Sequence, residues 1–119
     1  GTASEALAQT ADIMPTLLEA AGAEAPPGCE GRSLLPVMKD PSLKLREAAL
    51  SEVHSGGRRI AMVCTRRYKY AAFEDGTGYM LHDLEQDPEE TNNLIGHPDY
   101  RDVQEHMAAL WQQESRIRV

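Results

Sequence analysis

The sequence predicts an α+β fold in which a four-stranded antiparallel sheet packs against a C-terminal helix. Four short segments with the composition of strands follow one another between residues 48 and 84. Gly-containing turns separate the first strand from the second and the third from the fourth. Strands joined by tight turns form an antiparallel meander, and the helical pattern that follows can cover its apolar face. A helix and a short apolar segment precede the sheet.

The first helix is predicted in the segment TADIMPTLLEAAG, which begins at Thr10. We expect Asp12 to cap it by accepting backbone N–H groups, and Pro15 to lie in the first turn, where a missing N–H costs nothing. Gly22 supplies a left-handed stop. Two apolar stripes run along the helix: Ile13, Leu17 and Ala20 or Ala21, and Met14 with Leu18. Because both faces are apolar, we expect burial against something larger.

The remaining elements follow from turn residues and periodicity. A loop, AEAPPGCEG, leads to RSLLPVMKDP, for which we expect either a short helical turn or an irregular apolar segment. Apolar content then drops at residues 39–47, which marks a soft boundary before the sheet. The predicted strands are AALSEVHS, RRIAMVCT, RYKYAAFE and YMLHDL. The last helix is predicted from about Asp99 to Ser115, and its apolar face consists of Val103, Met107, Leu110 and Trp111.

Composition excludes several classes of protein. The net charge of −7 argues against nucleic-acid binding, which needs clustered Lys and Arg side chains. There is no apolar run of about 18 residues, so no membrane span is predicted. The start, GTASEALAQT, lacks the basic and apolar regions of a signal peptide, and the compartment stays undecided. Cys29 and Cys64 are predicted to be unpaired structural thiols.

The acidic stretch MLHDLEQDPEETNNL, residues 80–94, permits two interpretations. Its alternating carboxylates, from Asp83 onward, resemble the start of a calcium loop. An EF-hand loop needs Gly at its sixth position and Glu at its twelfth, where this sequence has Pro88 and Leu94. An architectural turn is favoured, because Pro fixes the backbone and the Thr-Asn-Asn run can bond its own main chain.

The four histidines and the potential nucleophiles assemble no catalytic site. No pair of histidines has the spacing of a helical zinc site, and no G-x-S-x-G elbow occurs. His82 is predicted on the surface of a strand, and His106 on the solvated side of the last helix. His54 is predicted in a flexible polar turn beside Ser55-Gly56-Gly57. Loops carry function more often than core positions do, so His54 is the histidine that we select as a candidate functional residue.

Four motifs in order resemble the sulfatase family. DIMPTLLEAAG is similar to the segment in which an Asp starts a helix through Pro-Thr-Leu-Leu and ends at Gly. GRSLLPVM resembles the family's Gly-x-Ser-Leu-x-Pro element, and TRRYKYAAF resembles its Arg-x-Tyr-Lys-Tyr strand. MLHDLEQDPEETNNL resembles Leu-Tyr-Asp-Leu-x-x-Asp-Pro-x-Glu-x-x-Asn-Leu, with His82 where Tyr or Phe is usual. The resemblance covers about residues 10 to 112.

This resemblance implies a division of the chain. Sulfatases, in the alkaline phosphatase superfamily, have a large α/β domain and a smaller C-terminal domain whose four-stranded sheet packs on the last helix. Residues 1–40 are therefore expected to belong to the edge of the large domain, and residues 41–119 to form the small domain. The expected partner is the N-terminal catalytic domain of the same parent chain. Residues 12–38, left bare, are expected to support self-association.

The family's chemistry is expected to lie outside this chain. The resemblance implies a formylglycine, made from Cys or Ser in Cys/Ser-x-Pro-x-Arg, beside a calcium ion held by Asp and Asn. The segments that start at Cys29, Ser42 and Cys64 all lack the required Pro. We therefore assign no catalytic residue, no metal ligand and no cofactor to this chain.

The predicted function is that of a C-terminal fragment of a sulfuric ester hydrolase, inactive alone, with a structural and pocket-rim role. The small domain of the family borders the mouth of the active site. His54 and Arg58, at the turn after the first strand, are the candidates for that rim, with a plain surface turn as the alternative. Two other functions stay open: a fragment of a phosphonate or phosphate monoester hydrolase, and a stand-alone non-enzymatic binding module.

Overall fold

The computed structural model describes residues 1–115, so residues 116–119 of the predicted small domain lie outside the described part. The chain divides into two compact units, Gly1–Ala49 and Leu50–Val119. The helices are α1 (Ile13–Ala20), α2 (Leu35–Lys39) and α3 (Arg101–Glu114), with 3₁₀ turns at Thr10–Asp12 and Pro98–Tyr100. The strands are β1 (Ala49–Ser55), β2 (Arg58–Cys64), β3 (Tyr68–Phe73) and β4 (Gly78–Asp83).

Helix α1 ends as the sequence predicts. Gly22 has φ +73°, and its N–H donates to the carbonyl of Glu19 at 3.0 Å. The N–H of Ala23 reaches back to the carbonyl of Leu18 at 2.8 Å. This pair of bonds is a Schellman motif, which satisfies carbonyls that the helix end would leave unpaired.

The role predicted for Asp12 as the cap of α1 is wrong. Asp12 is fully buried, and its side chain makes no capping bond to α1. It accepts the N–H of Gln9 at 2.8 Å, which caps the preceding 3₁₀ turn, and the N–H of Arg32 at 2.8 Å. Arg46 binds both of its carboxylate oxygens. A buried carboxylate needs an opposite charge and several donors, and this arrangement supplies more of them than a cap would.

The sheet is the predicted antiparallel meander, with strand order β1-β2-β3-β4. Ala61 lies opposite Ala72 where β2 pairs with β3, and Tyr70 lies opposite Leu81 where β3 pairs with β4. An irregularity between Ala71 and Ala72 shifts the register of the second pair. This confirms the predicted fold class.

Helix α3 covers one face of the sheet, as predicted from its apolar stripe. Met107 and Trp111 are fully buried, and Val103 and Leu110 pack around them. Trp111 donates its indole N–H to the carbonyl of Ala61 at 2.8 Å, so the helix is hydrogen-bonded to β2 as well as packed on it. The other buried members of this core are Ala61, Val63, Tyr70, Ala72, Leu81 and Leu94.

Cys29 and Cys64 are both free, as predicted. Burial raises the pKa of the Cys64 thiol, which favours the uncharged form. None of the helices within residues 1–115 has the length and apolar character needed to cross a lipid bilayer.

Candidate functional site

The two rim candidates flank a tight turn at one end of the sheet. His54 is the penultimate residue of β1 and Arg58 is the first residue of β2, and both are exposed. The turn itself consists of Gly56 and Gly57, with φ +60° and +80°. Positive φ at both central residues is typical of the two-residue turn that suits a twisted hairpin. The prediction that His54 lies in the turn is therefore wrong: it belongs to the strand.

The side chains of His54 and Arg58 lie on opposite faces of this hairpin. In a two-residue hairpin Ser55 lies opposite Arg58, and His54 lies opposite Arg59. Neighbouring residues of a strand point to opposite faces. The structure therefore does not bring these two side chains together. The assignment of either residue to a pocket rim stays a prediction.

Arg58 belongs to a small cluster of aromatic and charged side chains. Its guanidinium carbon lies 3.8 Å from the centre of the Phe73 ring, and its Nη2 lies 3.2 Å from Oδ2 of Asp75. The ring of Tyr79 lies 4.8 Å from that of Phe73. The N–H of Thr77 donates to Asp75 and lowers the pKa of that carboxyl. Asp75 therefore stays anionic as a partner of Arg58.

This cluster orients a half-exposed cation. About half of the Arg58 side chain stays open to solvent, 48% in the structure. A guanidinium that is stacked and anchored on one side can still offer N–H groups to a carboxylate, phosphate or sulfate on the other. The sequence pattern alone does not identify Phe73, Asp75 and Tyr79 as neighbours of Arg58. Strand alternation carries part of that signal, since Phe73 pairs with Ile60, two residues from Arg58.

His54 lies on the face of β1 that also carries Glu52. Oε2 of Glu52 lies 3.5 Å from Nη2 of Arg59, the residue opposite His54. The surroundings of His54 are therefore charged and exposed. Such a side chain can donate or accept a hydrogen bond at a surface.

The acidic stretch after β4 is built as an architectural turn. Asp83 is buried and accepts the N–H groups of Glu85 and Gln86, while Nη2 of Arg67 approaches its Oδ2 at 2.9 Å. The Arg67 hydrogen bonds, above all, lower the pKa of Asp83. The first carboxylate of the stretch therefore serves the turn itself.

The second half of the turn is held in the same way. Asp87 accepts the N–H of Asn92 at 2.8 Å and the hydroxyl of Thr91 at 3.1 Å. Asn93 Oδ1 accepts the N–H of Leu81 at 3.0 Å, and its amide nitrogen donates to the carbonyl of Tyr79 at 2.8 Å. These contacts return the chain to the sheet, in agreement with the favoured interpretation.

The donor set of this turn does not fit a calcium ion. Calcium takes six to eight oxygen ligands, whereas the carboxylates of Asp83 and Asp87 bind N–H groups, a hydroxyl and an arginine. Glu90 pairs with Lys69. Within residues 1–115 no group of three His, Cys, Asp or Glu side chains is arranged to hold a metal ion.

The prediction that His82 lies on the surface is wrong. Only 6% of the residue is exposed, and its Nδ1 lies 2.9 Å from the carbonyl of Asn92. A carbonyl accepts only, so Nδ1 carries the proton in this contact. Alternation places His82 on the opposite face from Leu81, and the turn after β4 covers that second face. His106 is exposed on α3, as predicted.

Comparisons with known proteins agree with this architecture. The family model for N-sulphoglucosamine sulphohydrolase, C-terminal, matches residues 1–116. The Δ4,5-hexuronate-2-O-sulfatase of Bacteroides thetaiotaomicron is 36% identical over 85% of the chain, and the ulvan-active sulfatase of Formosa agariphila is 32% identical over 92%. The crystal structure of a putative sulfatase from Bacteroides thetaiotaomicron matches with TM-score 0.75 and 33% identity, covering 86% of this chain and 23% of its own.

The meander and its covering helix are therefore a C-terminal domain type found in sulfuric ester hydrolases. The chain belongs to the sulfatases of the alkaline phosphatase superfamily and corresponds to their C-terminal portion. It spans 22% of the length of each of the two sulfatases named above.

Proposed function

We propose that this chain is the small domain of a parent enzyme that hydrolyses sulfate esters of sugars. The family match over residues 1–116 is the observation that carries the proposal. The substrate class rests on a relative whose name describes a hexuronate 2-O-sulfate as its target. The reaction itself belongs to the remainder of the parent chain, where the resemblance implies the formylglycine and the calcium ion.

The chain alone is proposed to be inactive. Formylglycine requires Cys or Ser followed by x-Pro-x-Arg, and the segments at Cys29, Ser42 and Cys64 do not have that form. The buried carboxylates Asp12 and Asp83 bind arginines and backbone N–H groups, which leaves them poorly suited to a calcium ion. We therefore propose a structural role for both carboxylates.

The unpaired face of α1 is proposed to dock on the N-terminal catalytic domain of the parent chain. Ile13, Met14 and Leu17 are 54%, 48% and 64% exposed, although all three are large apolar side chains. Met38, in α2, is 63% exposed. Several large apolar side chains exposed within one short segment are typical of an interaction site. Without the catalytic domain, the same surface within residues 12–38 is proposed to support self-association.

Arg58 and His54 are proposed to border the substrate pocket as separate contacts. Arg58 is the stronger candidate, because Phe73 and Asp75 anchor its guanidinium on one side and leave the other side open. Sugar sulfates and uronates carry the anions that a guanidinium binds. His54, on the other face of the hairpin, offers an imidazole that can donate or accept a hydrogen bond.

The first test measures sulfate release by the 119-residue chain and by the full parent enzyme. We expect release from sulfated sugars by the parent, and none by the chain. Release by the chain itself would contradict the inactivity. A parent that hydrolyses phosphonate or phosphate monoesters, and no sulfate ester, would replace the proposal with the second hydrolase class.

The rim role is tested in the parent enzyme by Arg58→Ala and His54→Ala. Loss of a pocket-rim contact should raise KM and change kcat little, because such a contact binds the substrate and the transition state equally well. Arg101→Ala, at an exposed position of α3, is the matched control and should leave KM unchanged. If KM is unchanged in both rim variants, the pocket-rim role is contradicted, and His54 and Arg58 belong to a plain surface turn.

The docking role is tested on the 119-residue chain by light scattering. Leu17→Ser should reduce self-association, because it removes an exposed apolar side chain from α1. Leu43→Ser changes another exposed leucine outside residues 12–38 and serves as the control. A chain that stays monomeric at high concentration would contradict self-association through α1.

A further inference from the structure

Strand β1 is an edge strand of the sheet, and within residues 1–115 no further strand pairs with it. At the other edge, the N–H of β4 residue Leu81 donates to Asn93, and its carbonyl accepts the N–H of Leu94 at 2.8 Å. In β1, by contrast, Ser51 to Ser55 are all exposed. An exposed edge strand offers a row of backbone donors and acceptors to another strand.

The Gly56-Gly57 turn determines which backbone groups of β1 point outward. Ser55 and Arg58 flank a two-residue turn and form a hydrogen-bonded pair, and such pairs alternate along an antiparallel ladder. The N–H and C=O groups of Ser55, Val53 and Ser51 therefore face β2. Those of His54 and Glu52 face the open edge.

We propose that β1 pairs antiparallel with β1 of a second copy, with Val53 on the two-fold axis. This register places Glu52 opposite the partner's His54, and His54 opposite the partner's Glu52. Both are outward-facing residues, so each pair can exchange two backbone hydrogen bonds. The two four-stranded sheets then become one continuous eight-stranded sheet.

The side-chain pairs across the two strands favour this register over its neighbours. A two-fold axis at Glu52 would place two carboxylates directly opposite each other, and one at His54 would place two imidazoles together. Two carboxylates directly opposite each other destabilise a strand pair, whereas an imidazole N–H opposite a carboxylate can donate a hydrogen bond to it. Nη2 of Arg59 lies 3.5 Å from Oε2 of Glu52 and orients that carboxylate on the same face as His54.

Val53 supplies the apolar contact at the centre of the interface. It is 54% exposed, and alternation places it on the opposite face from Glu52 and His54. Residues opposite each other in a pair that is not hydrogen-bonded approach most closely. Val53 therefore meets the partner's Val53, and β-branched side chains pack well in such pairs.

The experiment is a charge exchange followed by sedimentation equilibrium. All proteins carry Leu17→Ser, which separates this interface from the α1 surface. Glu52→Lys places Lys opposite His, and His54→Glu places Glu opposite Glu, so each variant alone should weaken the dimer about tenfold. An equimolar mixture of the two variants should recover it, because both cross-strand pairs are then favourable. The double variant should also dimerise.

Glu105→Lys makes the same charge change at an exposed position of α3 and should leave the dimer constant unchanged. Far-UV circular dichroism confirms that each variant is folded. The proposal is overturned if the Leu17→Ser chain is monomeric up to about 1 mM, or if the mixture fails to recover the dimer. If β1 pairs with a segment of another protein and not with a second copy, the Leu17→Ser chain stays monomeric, which is the first of these two results. Both results are independent of sulfate release by the parent enzyme.

Discussion

The guanidinium of Arg46 donates two parallel hydrogen bonds to the carboxylate of Asp12, and both side chains are buried. Nη1 of Arg46 lies 2.5 Å from Oδ2, and Nη2 lies 2.7 Å from Oδ1. Nη1 also donates to the carbonyl of Leu7 at 2.9 Å. The exposed fractions of the two side chains are 7% and 0%. One guanidinium thus joins the chain before α1, the start of α1 and the segment before the sheet.

Breaking this pair from either side is expected to destabilise the chain strongly. Arg46→Met leaves the Asp12 carboxylate buried with only two N–H donors, and removal of one partner of a buried ion pair costs about 3 kcal/mol or more. Urea unfolding, followed by far-UV circular dichroism at neutral pH, measures the free energy of unfolding.

The double variant Asp12→Asn/Arg46→Met separates the pair from its surroundings. We expect a coupling energy of about 2 kcal/mol between the two positions. Lys44→Met breaks the exposed Lys44–Glu47 pair and should change the free energy of unfolding by less than about 0.5 kcal/mol. Equal costs for Arg46→Met and Lys44→Met would contradict the importance of burial.

Stability is expected to fall as acid protonates three carboxylates of the folded chain. Burial alone raises the pKa of Asp12, but hydrogen bonds from Arg46, Arg32 and Gln9 outweigh it and hold the pKa below the ordinary value of 3.8. Hydrogen bonds from Arg67 lower the pKa of Asp83, and the N–H of Asn92 lowers that of Asp87.

The direction of the pH effect follows from these lowered pKa values. Near and below pH 3.8 the unfolded chain binds more protons than the folded chain, so the stabilisation present above that pH is lost as pH falls through it. The urea midpoint should be nearly constant between about pH 7 and pH 5 and should drop below about pH 4. Asp83→Asn should show a shallower drop. A midpoint that rises on acidification would refute this assignment.

Local patterns were sufficient to predict the elements of the fold. Period-two segments and Gly turns predicted all four strands, and the stripe through Met107 and Trp111 predicted the buried face of α3. Each of these features depends on residues that are close in sequence or that share one face of a single element, so the sequence pattern is sufficient to predict it. The predicted domain boundary at residues 40 and 41 stays a prediction, whereas the compact units of the structure meet at Ala49 and Leu50.

Long-range contacts explain the residues that local patterns misassigned. Asp12 has the residue type and position of a cap, but its guanidinium partner lies 34 residues further along the chain. His82 alternates with Leu81 as a surface residue would, but the returning turn covers the face on which His82 lies. The residues around Asp12 and His82 in the sequence do not indicate either of these partners, Arg46 or the turn at Asn92. The aromatic neighbours of Arg58 come from β3 and β4 and become visible only once the strand register is known.

Asn93→Ala is expected to loosen the second edge of the sheet. The side chain of Asn93 accepts the N–H groups of Leu81 and Ile95 and donates to Tyr79. Its removal leaves the N–H of buried Leu81 without that partner, at a cost of about 2 kcal/mol. Hydrogen exchange of the Leu81 amide should accelerate. Asn92→Ala is the control, because the contacts of Asn92 in this turn run through its main chain.

Gly31→Ala tests a close approach between two backbone segments. A Cβ added at Gly31 would lie 1.9 Å from the carbonyl oxygen of Ala11 and 2.5 Å from its carbon. Backbone atoms cannot rotate aside, so we expect a loss of about 3 kcal/mol or more in the free energy of unfolding. Gly28→Ala meets no atom within 4 Å but has φ +84°, and should cost only about 1 kcal/mol. Equal losses would show that the two segments can separate.

Trp111→Phe tests whether the hydrogen bond between α3 and β2 adds to their packing. The indole N–H donates to Ala61 in a fully buried position. Phe keeps an aromatic ring but removes the donor and part of the volume, so we expect a loss of about 2 kcal/mol. Trp111→Ala removes the whole ring and should cost about 4 kcal/mol.

Urea unfolding by far-UV circular dichroism suits this series, because the substitutions remove the only tryptophan of the chain. Met107→Leu is the matched control: it nearly conserves volume at the neighbouring buried position on α3 and should cost less than about 1.5 kcal/mol. If Trp111→Phe costs no more than Met107→Leu, apolar packing alone attaches α3 to the sheet. A clear excess means that the buried indole N–H also fixes the position of the helix along β2, because a hydrogen bond of 2.8 Å tolerates little sliding.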